Sequence, residues 1–323
     1  MRGSRVQHLF MLMVLVASIG QAHAQSEPIY VQHFNNQPIT NPAFTGFRNA
    51  LAIDLSVRRQ WLGMPGAPES QYLSAHAPIN NSKLSIGAAI QNWRIGPIGH
   101  LQAGTHYSYL ARLGDRMFLS LGMNVGLTHQ QMDYFGMVLI DGNDPHFGSG
   151  NPSTTQATTG AGAVLFTQYY YVGISHPVVA LTGRDNDTPL PSYQGAWYAM
   201  AGGSLPGWLD FTPKASLAAR YNSDGYLLMD FTGRIFYKNR LGAGLSFRPA
   251  HSWSAILDVQ INRNLSATYT YDRGLGRTPF TAFTSHEATI SYDIFSLTKR
   301  NKYRHFKKKK EVDESQMRSI RYF

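Results

Sequence analysis

The sequence predicts an all-β protein: a transmembrane antiparallel β-barrel of about 14 strands in an outer membrane. Three observations carry this. From residue 50 onward apolar and polar residues alternate with period two in segment after segment, which sends successive side chains to opposite faces of a strand. Many of these segments approach the roughly 9–11 residues that a tilted membrane strand needs, against about 5–6 in a soluble strand. The links between them are short at alternate positions and include long ones at the others, as in outer-membrane barrels.

Composition narrows the choice by exclusion. Of 323 residues, 43% are apolar and only 15% are charged, which excludes a solvated disordered chain. The 30 glycines and 16 prolines are too few for collagen and too many for a helical bundle. There is no cysteine, so disulfide frameworks, thiolate metal sites, iron–sulfur clusters and cysteine nucleophiles are excluded together. The formal net charge of +10 sits at the ends. Ten Lys and Arg between Lys299 and Arg321 face only Glu311, Asp313 and Glu314, and Arg2 and Arg5 add two more charges.

Residues 1–24 read as an address. Arg2 and Arg5 precede an apolar run from Leu9 to Ile19, and Ala22-His23-Ala24 offers small residues for a cleavage after Ala24. This is the secretory signal pattern, and the run is shorter than the ~20 residues that span hydrocarbon. Residues 25–48 follow as a leader, too polar to span and too rich in Pro and Asn for a long strand. Two placements stand open: in the lumen or across the periplasmic mouth, or as a merely flexible leader. Pro42 fixes φ and removes a donor, so Asn41-Pro42 breaks the chain before the first strand. Gly46 permits the positive φ of a tight turn, and Met64-Pro65-Gly66 reads as a turn with Pro and Gly at its centre.

Residues 49–295 form the barrel. Strands are expected near 50–61, 70–77, 84–93, 100–112, 116–129, 159–167, 169–176, 193–204, 210–221, 226–237, 241–248, 252–261, 265–272 and 286–295. The fifth is the longest example: Met117, Leu119, Leu121, Met123, Val125 and Leu127 alternate with Phe118, Ser120, Gly122, Asn124, Gly126 and Thr128. The links 62–69, 130–158, 177–192 and 273–285 are long and are expected to face outside. A closed barrel leaves no unpaired edge, as lipid demands. A soluble sandwich also alternates, but with shorter strands and no such parity of links. Tyr107, Tyr109, Trp197, Trp253, Tyr269, Tyr271 and Tyr292 lie on apolar faces near strand ends, where an interfacial girdle belongs.

The polar faces carry Asp54, Asp230, Asp258, Asp272, Glu287 and Asp293 with Arg58, Arg234 and Arg248. Mixed acids and bases brace a filled interior, or line an ion-selective pore; their mixing favours bracing. Gly122, Gly126, Gly160, Gly162, Gly173, Gly242 and Gly244 lie in strands, so they make no phosphate loop and suit close packing in a curved wall. His76 and His106 fall on lumen faces as hydrogen-bonded interior residues. The twelve histidines form no H-E-x-x-H pattern. Gly244-Leu245-Ser246-Phe247-Arg248 is no nucleophile elbow, because Arg248 replaces the second glycine and the segment is a strand. No catalytic, cofactor or metal site is expected, and the protein reads as a non-enzyme.

A set of blocks in order carries a family resemblance. They are Pro28-Ile29-Tyr30-Val31-Gln32-His33-Phe34, Asn41-Pro42-Ala43-Phe44-Thr45-Gly46, Arg58-Arg59-Gln60-Trp61 and Gly63-Met64-Pro65-Gly66-Ala67-Pro68. Further on stand Tyr171-Val172-Gly173-Ile174-Ser175-His176-Pro177, Tyr269-Thr270-Tyr271-Asp272 and Ser285-His286-Glu287. Over roughly residues 26–295 the chain resembles the PorP/SprF family of the type IX secretion system. Ala288 and His176 depart from the larger aliphatic residues expected there. The resemblance implies an outer-membrane barrel of Bacteroidota-type bacteria. Its implied task is to assist export or surface attachment of proteins with C-terminal sorting domains, gliding adhesins among them. Its implied partners are periplasmic ring and core components of that machinery, with the exported proteins and outer-membrane lipid. Alternation by itself leaves a second reading, a passive channel or FadL-like transporter of hydrophobic solutes.

Residues 296–323 lie beyond the resemblance. Lys299, Arg300, Lys302, Arg304, Lys307, Lys308, Lys309 and Lys310 make a basic run, a candidate partner-docking tail. An even strand count places both termini in the periplasm. There the tail meets acidic protein surfaces or anionic headgroups, or stays solvated. Export removes nucleic acid as its partner.

Overall fold

The computed structural model describes residues 30–79, 82–114, 116–133, 151–181, 190, 195–205, 210–223, 225–276 and 279–295. The signal segment 1–24, the start of the leader and the tail 296–323 lie outside the described residues.

Fourteen strands run in chain order. They are β1 (Leu51–Arg59), β2 (Glu69–Pro78), β3 (Leu84–Ile95), β4 (Ile98–Arg112), β5 (Phe118–Met132), β6 (Ser153–Phe166) and β7 (Tyr170–Ala180). Then come β8 (Trp197–Ser204), β9 (Phe211–Tyr221), β10 (Leu227–Tyr237), β11 (Leu241–Arg248), β12 (Ser252–Gln260), β13 (Leu265–Gly274) and β14 (Thr284–Ile294). Each strand pairs antiparallel with its neighbours in sequence, and β1 closes on β14 from Leu51↔Ile294 to Arg59↔His286. Every strand therefore has two partners and no edge is left open.

Three boundaries differ from the sequence expectation by four residues or more, at the start of β6, the end of β7 and the start of β8, and the first two have identifiable reasons. β6 begins at Ser153 instead of near 159. Its first residues, Ser-Thr-Thr-Gln, have no apolar face to read, but their backbone pairs with Thr128–Gln131 of β5. β7 continues past Pro177 to Ala180. The register shifts between Thr159 and Ala161 of β6 opposite this point, and such an irregularity accommodates a residue with no N–H to offer. The first of these long links thus shortens to 133–152, while the second moves along the chain to 181–196, because β8 begins at Trp197 instead of near 193. The links 79–83, 113–117, 167–169, 205–210, 238–240 and 261–264 lie at one end of the barrel, the turn end. The links 60–68, 133–152, 181–196 and 275–283 lie at the other, the loop end, with the tighter 96–97, 222–226 and 249–251.

The pleat sorts the two faces as expected. Along β5, Leu121, Met123, Val125 and Leu127 are exposed outward, while Phe118, Ser120, Thr128 and Gln130 are buried inward. Outward apolar rows of this extent belong against lipid. Aromatic residues band both ends of this surface: Tyr107, Tyr109, Tyr170, Phe211, Tyr237 and Tyr292 towards the turn end, and Trp197, Tyr221, Phe247, Trp253 and Tyr269 towards the loop end.

The lumen is filled by the chain itself. Residues 30–50 run inside the barrel before β1, with a single helical turn α1 (Gln37–Thr40) and a 3-10 turn at Pro42–Phe44. Asn41 is extended between them, and Gly46 takes φ +75°. This plug supplies the protein's core. Ala43 and Phe44 pack with Phe118, Val164, Phe166, Tyr171 and Met200 from the wall, and Val31 and Phe34 pack with Ile256.

Candidate functional site

The plug and its seat form the candidate site. Near the loop end, the Val31 and Gln32 amides donate to the Glu287 carboxylate at 2.8 and 3.1 Å. Arg58 reaches the same carboxylate at 3.2 Å and Asp272 at 2.8 Å. The Gln32 side chain donates to Thr270 Oγ1 and to the Glu287 carbonyl, both at 3.0 Å. One glutamate is thereby shared between the plug backbone and a wall arginine. Charge-assisted bonds of this kind are about twice as strong as neutral ones.

Towards the turn end the seat is built from serines and glycines. Ser175, Ser120 and Ser108 donate to the carbonyls of Thr40, Ala43 and Thr45 at 2.6, 2.7 and 2.8 Å. These carbonyls have no strand or helix partner, so the wall satisfies what the plug cannot. The Asn41 side chain accepts from the Ala43 amide at 2.9 Å and donates to the Ala163 and Ile174 carbonyls at 3.3 Å. It has room because Gly162 is bare: a Cβ there would stand 2.2 Å from Asn41 Oδ1. The Gly46 amide donates to His76 Nδ1 at 3.1 Å, which gives this histidine the hydrogen-bonded interior role its lumen face suggested. His106 is also buried inward.

The luminal charges are paired. Arg248 grips Asp230 with two bonds at 2.8 and 3.1 Å. Arg234 stands 3.6 Å from Asp258 and lies 3.6 Å above the Phe34 ring. Arg48, from the plug, holds Asp54 at 2.7 Å and Asp293 at 3.2 Å. Acids and bases therefore brace the plug and the wall against each other. The space left beside them includes a small cleft lined by Phe34, Phe44, Phe47, Arg48, Arg234 and Asp258 among others. In the turn after β11, burial and Arg248 lower the proton affinity of His251, whose Nε2 meets the Tyr226 hydroxyl. No cluster of three or more metal-ligating side chains occurs among the described residues.

The residues that carried the resemblance fall into three groups. Asn41, Pro42, Ala43, Phe44 and Gly46 are the plug, Gly173 and Ser175 its seat, and Asp272 and Glu287 its upper clasp. Pro177 is tied to this wall through its carbonyl, which accepts from Asn124 at 2.8 Å. Gln60, Trp61, Gly66, Ala67 and Pro68 form the loop-end link 60–68, where the Gln60 amide meets the Pro68 carbonyl and Trp61 meets Ser285. Gly66 takes φ +71° there, and the Ala67 amide returns to the Met64 carbonyl, the turn expected of Met64-Pro65-Gly66. Tyr269, Tyr271 and His286 stand apart on the outer surface, with Tyr269 bonded to His286 at 2.6 Å. The basic run from Lys299 to Lys310 lies outside the described residues. Sequence reasoning missed Ser108 and Ser120, which are ordinary members of a polar strand face. It also gave the wall glycines to curvature, whereas Gly122 and Gly162 make room for the plug.

A closed, all-antiparallel barrel with an apolar outer surface, two aromatic bands and an internal plug is an outer-membrane β-barrel protein. A family model described as type IX secretion system membrane protein PorP/SprF matches residues 22–292. The chain belongs to that family. No curated protein matches the sequence. Among solved structures, the toluene transporter TodX of P. putida is similar at 11% identity and a TM-score of 0.47, covering 80% of this chain and 94% of its own. A FadL homologue of Pseudomonas aeruginosa is similar at 13% identity and a TM-score of 0.45, covering 83% and 95%. The KdgM porin stands at 8% identity and 0.39, covering 76% and 99%.

Proposed function

We propose that this protein is a closed outer-membrane scaffold of the type IX secretion machinery, assisting export or surface attachment of proteins with C-terminal sorting domains by protein–protein binding. The observation that carries this is the plug. Its backbone is bonded to the wall at both ends of the lumen, so the useful surfaces are the two faces of the barrel. The turn end faces the periplasm, as short turns do in such barrels, and the long links face outside. The tail from Lys299 leaves β14 at the turn end and docks to acidic surfaces of the ring and core components, an attraction that salt weakens. Tyr303, Phe306, Tyr322 and Phe323 fill pockets after encounter.

The test separates insertion from binding and from export. A chain truncated after Ser296 is expected to insert and keep heat-modifiable gel mobility while losing copurifying machinery and export of sorting-domain proteins. Unchanged copurification and export would sink the docking role of the tail. In planar bilayers the full chain is expected to show no steady conductance. A steady conductance would favour the passive-channel reading.

A further inference from the structure

The rim of the turn end is cationic. Lys83, Arg116, Lys238, Arg240 and Arg263 are all exposed in the links 79–83, 113–117, 238–240 and 261–264. Among the described residues of the turn-end links, the single acid is Asp210, which stands 3.6 Å from Lys238. Asp115 belongs to one of the same links and lies outside the described residues. Three of these cations lie over aromatic rings: Lys83 over Tyr109 at 5.9 Å, Lys238 over Tyr237 at 5.2 Å and Arg263 over Phe295 at 5.7 Å. Phe211 packs beside Tyr237 at 5.3 Å and extends that patch on the outer surface.

We infer that this rim is a binding collar for anionic phospholipid headgroups. Tyr and Trp side chains of membrane proteins settle at the boundary between headgroups and acyl chains. The rings of Tyr109 and Tyr237 therefore fix the depth of the barrel, and the cations above them lie level with the lipid phosphates. Ammonium and guanidinium groups donate to phosphate oxygens, while the acyl chains run along the apolar surface past Tyr109, Phe211 and Tyr237. Lipid fits better than an acidic protein for a geometric reason. The cations occupy two separate arcs, one at the β2–β3 and β4–β5 turns and one at the β10–β11 and β12–β13 turns. Independent lipids fill both arcs, whereas one folded partner would have to span the barrel mouth. The inference holds whichever leaflet borders the turn end.

The full chain, purified in detergent, is compared by native mass spectrometry with a variant carrying Lys83→Gln, Arg116→Gln, Lys238→Gln, Arg240→Gln and Arg263→Gln. Phosphatidylglycerol and phosphatidylcholine are offered together. The basic tail is present in both proteins, so the difference reads the collar. The original chain is expected to retain phosphatidylglycerol over phosphatidylcholine by about tenfold, and the variant to approach parity. A second variant that exchanges Lys for Arg and Arg for Lys at the same positions should keep the preference. Heat-modifiable gel mobility verifies the barrel in each. Equal retention by the original chain and the glutamine variant overturns the inference. So does displacement of the lipid by inorganic phosphate alone, which would mark a small-anion site. Loss of a copurifying acidic protein with lipid retention unchanged would also overturn it.

Discussion

Gly122 of β5 lies directly against Ala43 of the plug: a Cβ on Gly122 would stand 2.1 Å from the Ala43 amide nitrogen. The obstacle is backbone, which cannot swing aside as a side chain does. A Gly122→Val protein should fold as a barrel with its plug displaced, because the strand pairing on both sides of β5 is unaffected. Single-channel recording is expected to show openings that the original protein lacks. A variant as closed as the original would mean that this contact does not seat the plug.

Glu287 is the most loaded residue of the clasp, because it serves two plug amides and Arg58 at once. Glu287→Ala leaves both amides without their acceptor and Arg58 with Asp272 alone, and should cost about 3–5 kcal/mol. Glu287→Gln keeps an accepting oxygen and should cost less, about 1–2 kcal/mol. Urea unfolding in micelles, followed by tryptophan fluorescence, reads both. A loss below about 1 kcal/mol for the alanine variant would remove the clasp from the account.

The three wall serines offer a graded version of the same experiment. Ser108→Ala, Ser120→Ala and Ser175→Ala each leave one plug carbonyl without its donor, at about 1 kcal/mol apiece. Protease accessibility of residues 40–45 should rise stepwise from single to triple variant. A triple variant as resistant as the original would show that water replaces the hydroxyls without loss.

The course of the plug sets the side on which its leading end emerges. Tyr30 accepts from Gln91 at 3.0 Å and lies in the half of the lumen nearer the loop end, beside the Glu287 clasp. By Arg48 the chain has reached Asp293, one residue from the turn-end limit of β14. A cysteine placed ahead of Tyr30, as in Glu27→Cys, should therefore share the accessibility of Asn151→Cys and not that of Arg263→Cys towards an impermeant maleimide on whole cells. Pairing with Arg263→Cys would restore the periplasmic N-terminus expected from strand parity. Which of the two reference positions reacts reports barrel orientation separately.

The barrel was legible in the sequence because its two requirements, one face against lipid and one inward, impose a period of two that survives in every strand. The luminal charges were legible for the same reason. The plug was legible only as a break, at Pro42 and Gly46, since a segment that fills a lumen repeats nothing. Its seat was hidden more deeply. Ser120 and Gly122 are the residues any polar strand face contains, and their meaning depends on a segment about 80 positions earlier coming to rest on them. The start of β6 was missed because backbone pairing with β5, not side-chain pattern, makes Ser153–Gln156 a strand.

The bond from Val31 to Glu287 also joins residues 256 positions apart. This plug amide therefore waits for the last strand to arrive. Loop-closure entropy must be met before this contact returns anything, and topologies dominated by such contacts fold slowly. The seam between β1 and β14 is equally remote in sequence and has Glu287 on one side and Arg58 on the other. Closing the sheet and capturing the leading segment thus become one late kinetic event. Until then the nascent chain carries an unfilled core, and its two ends become native together.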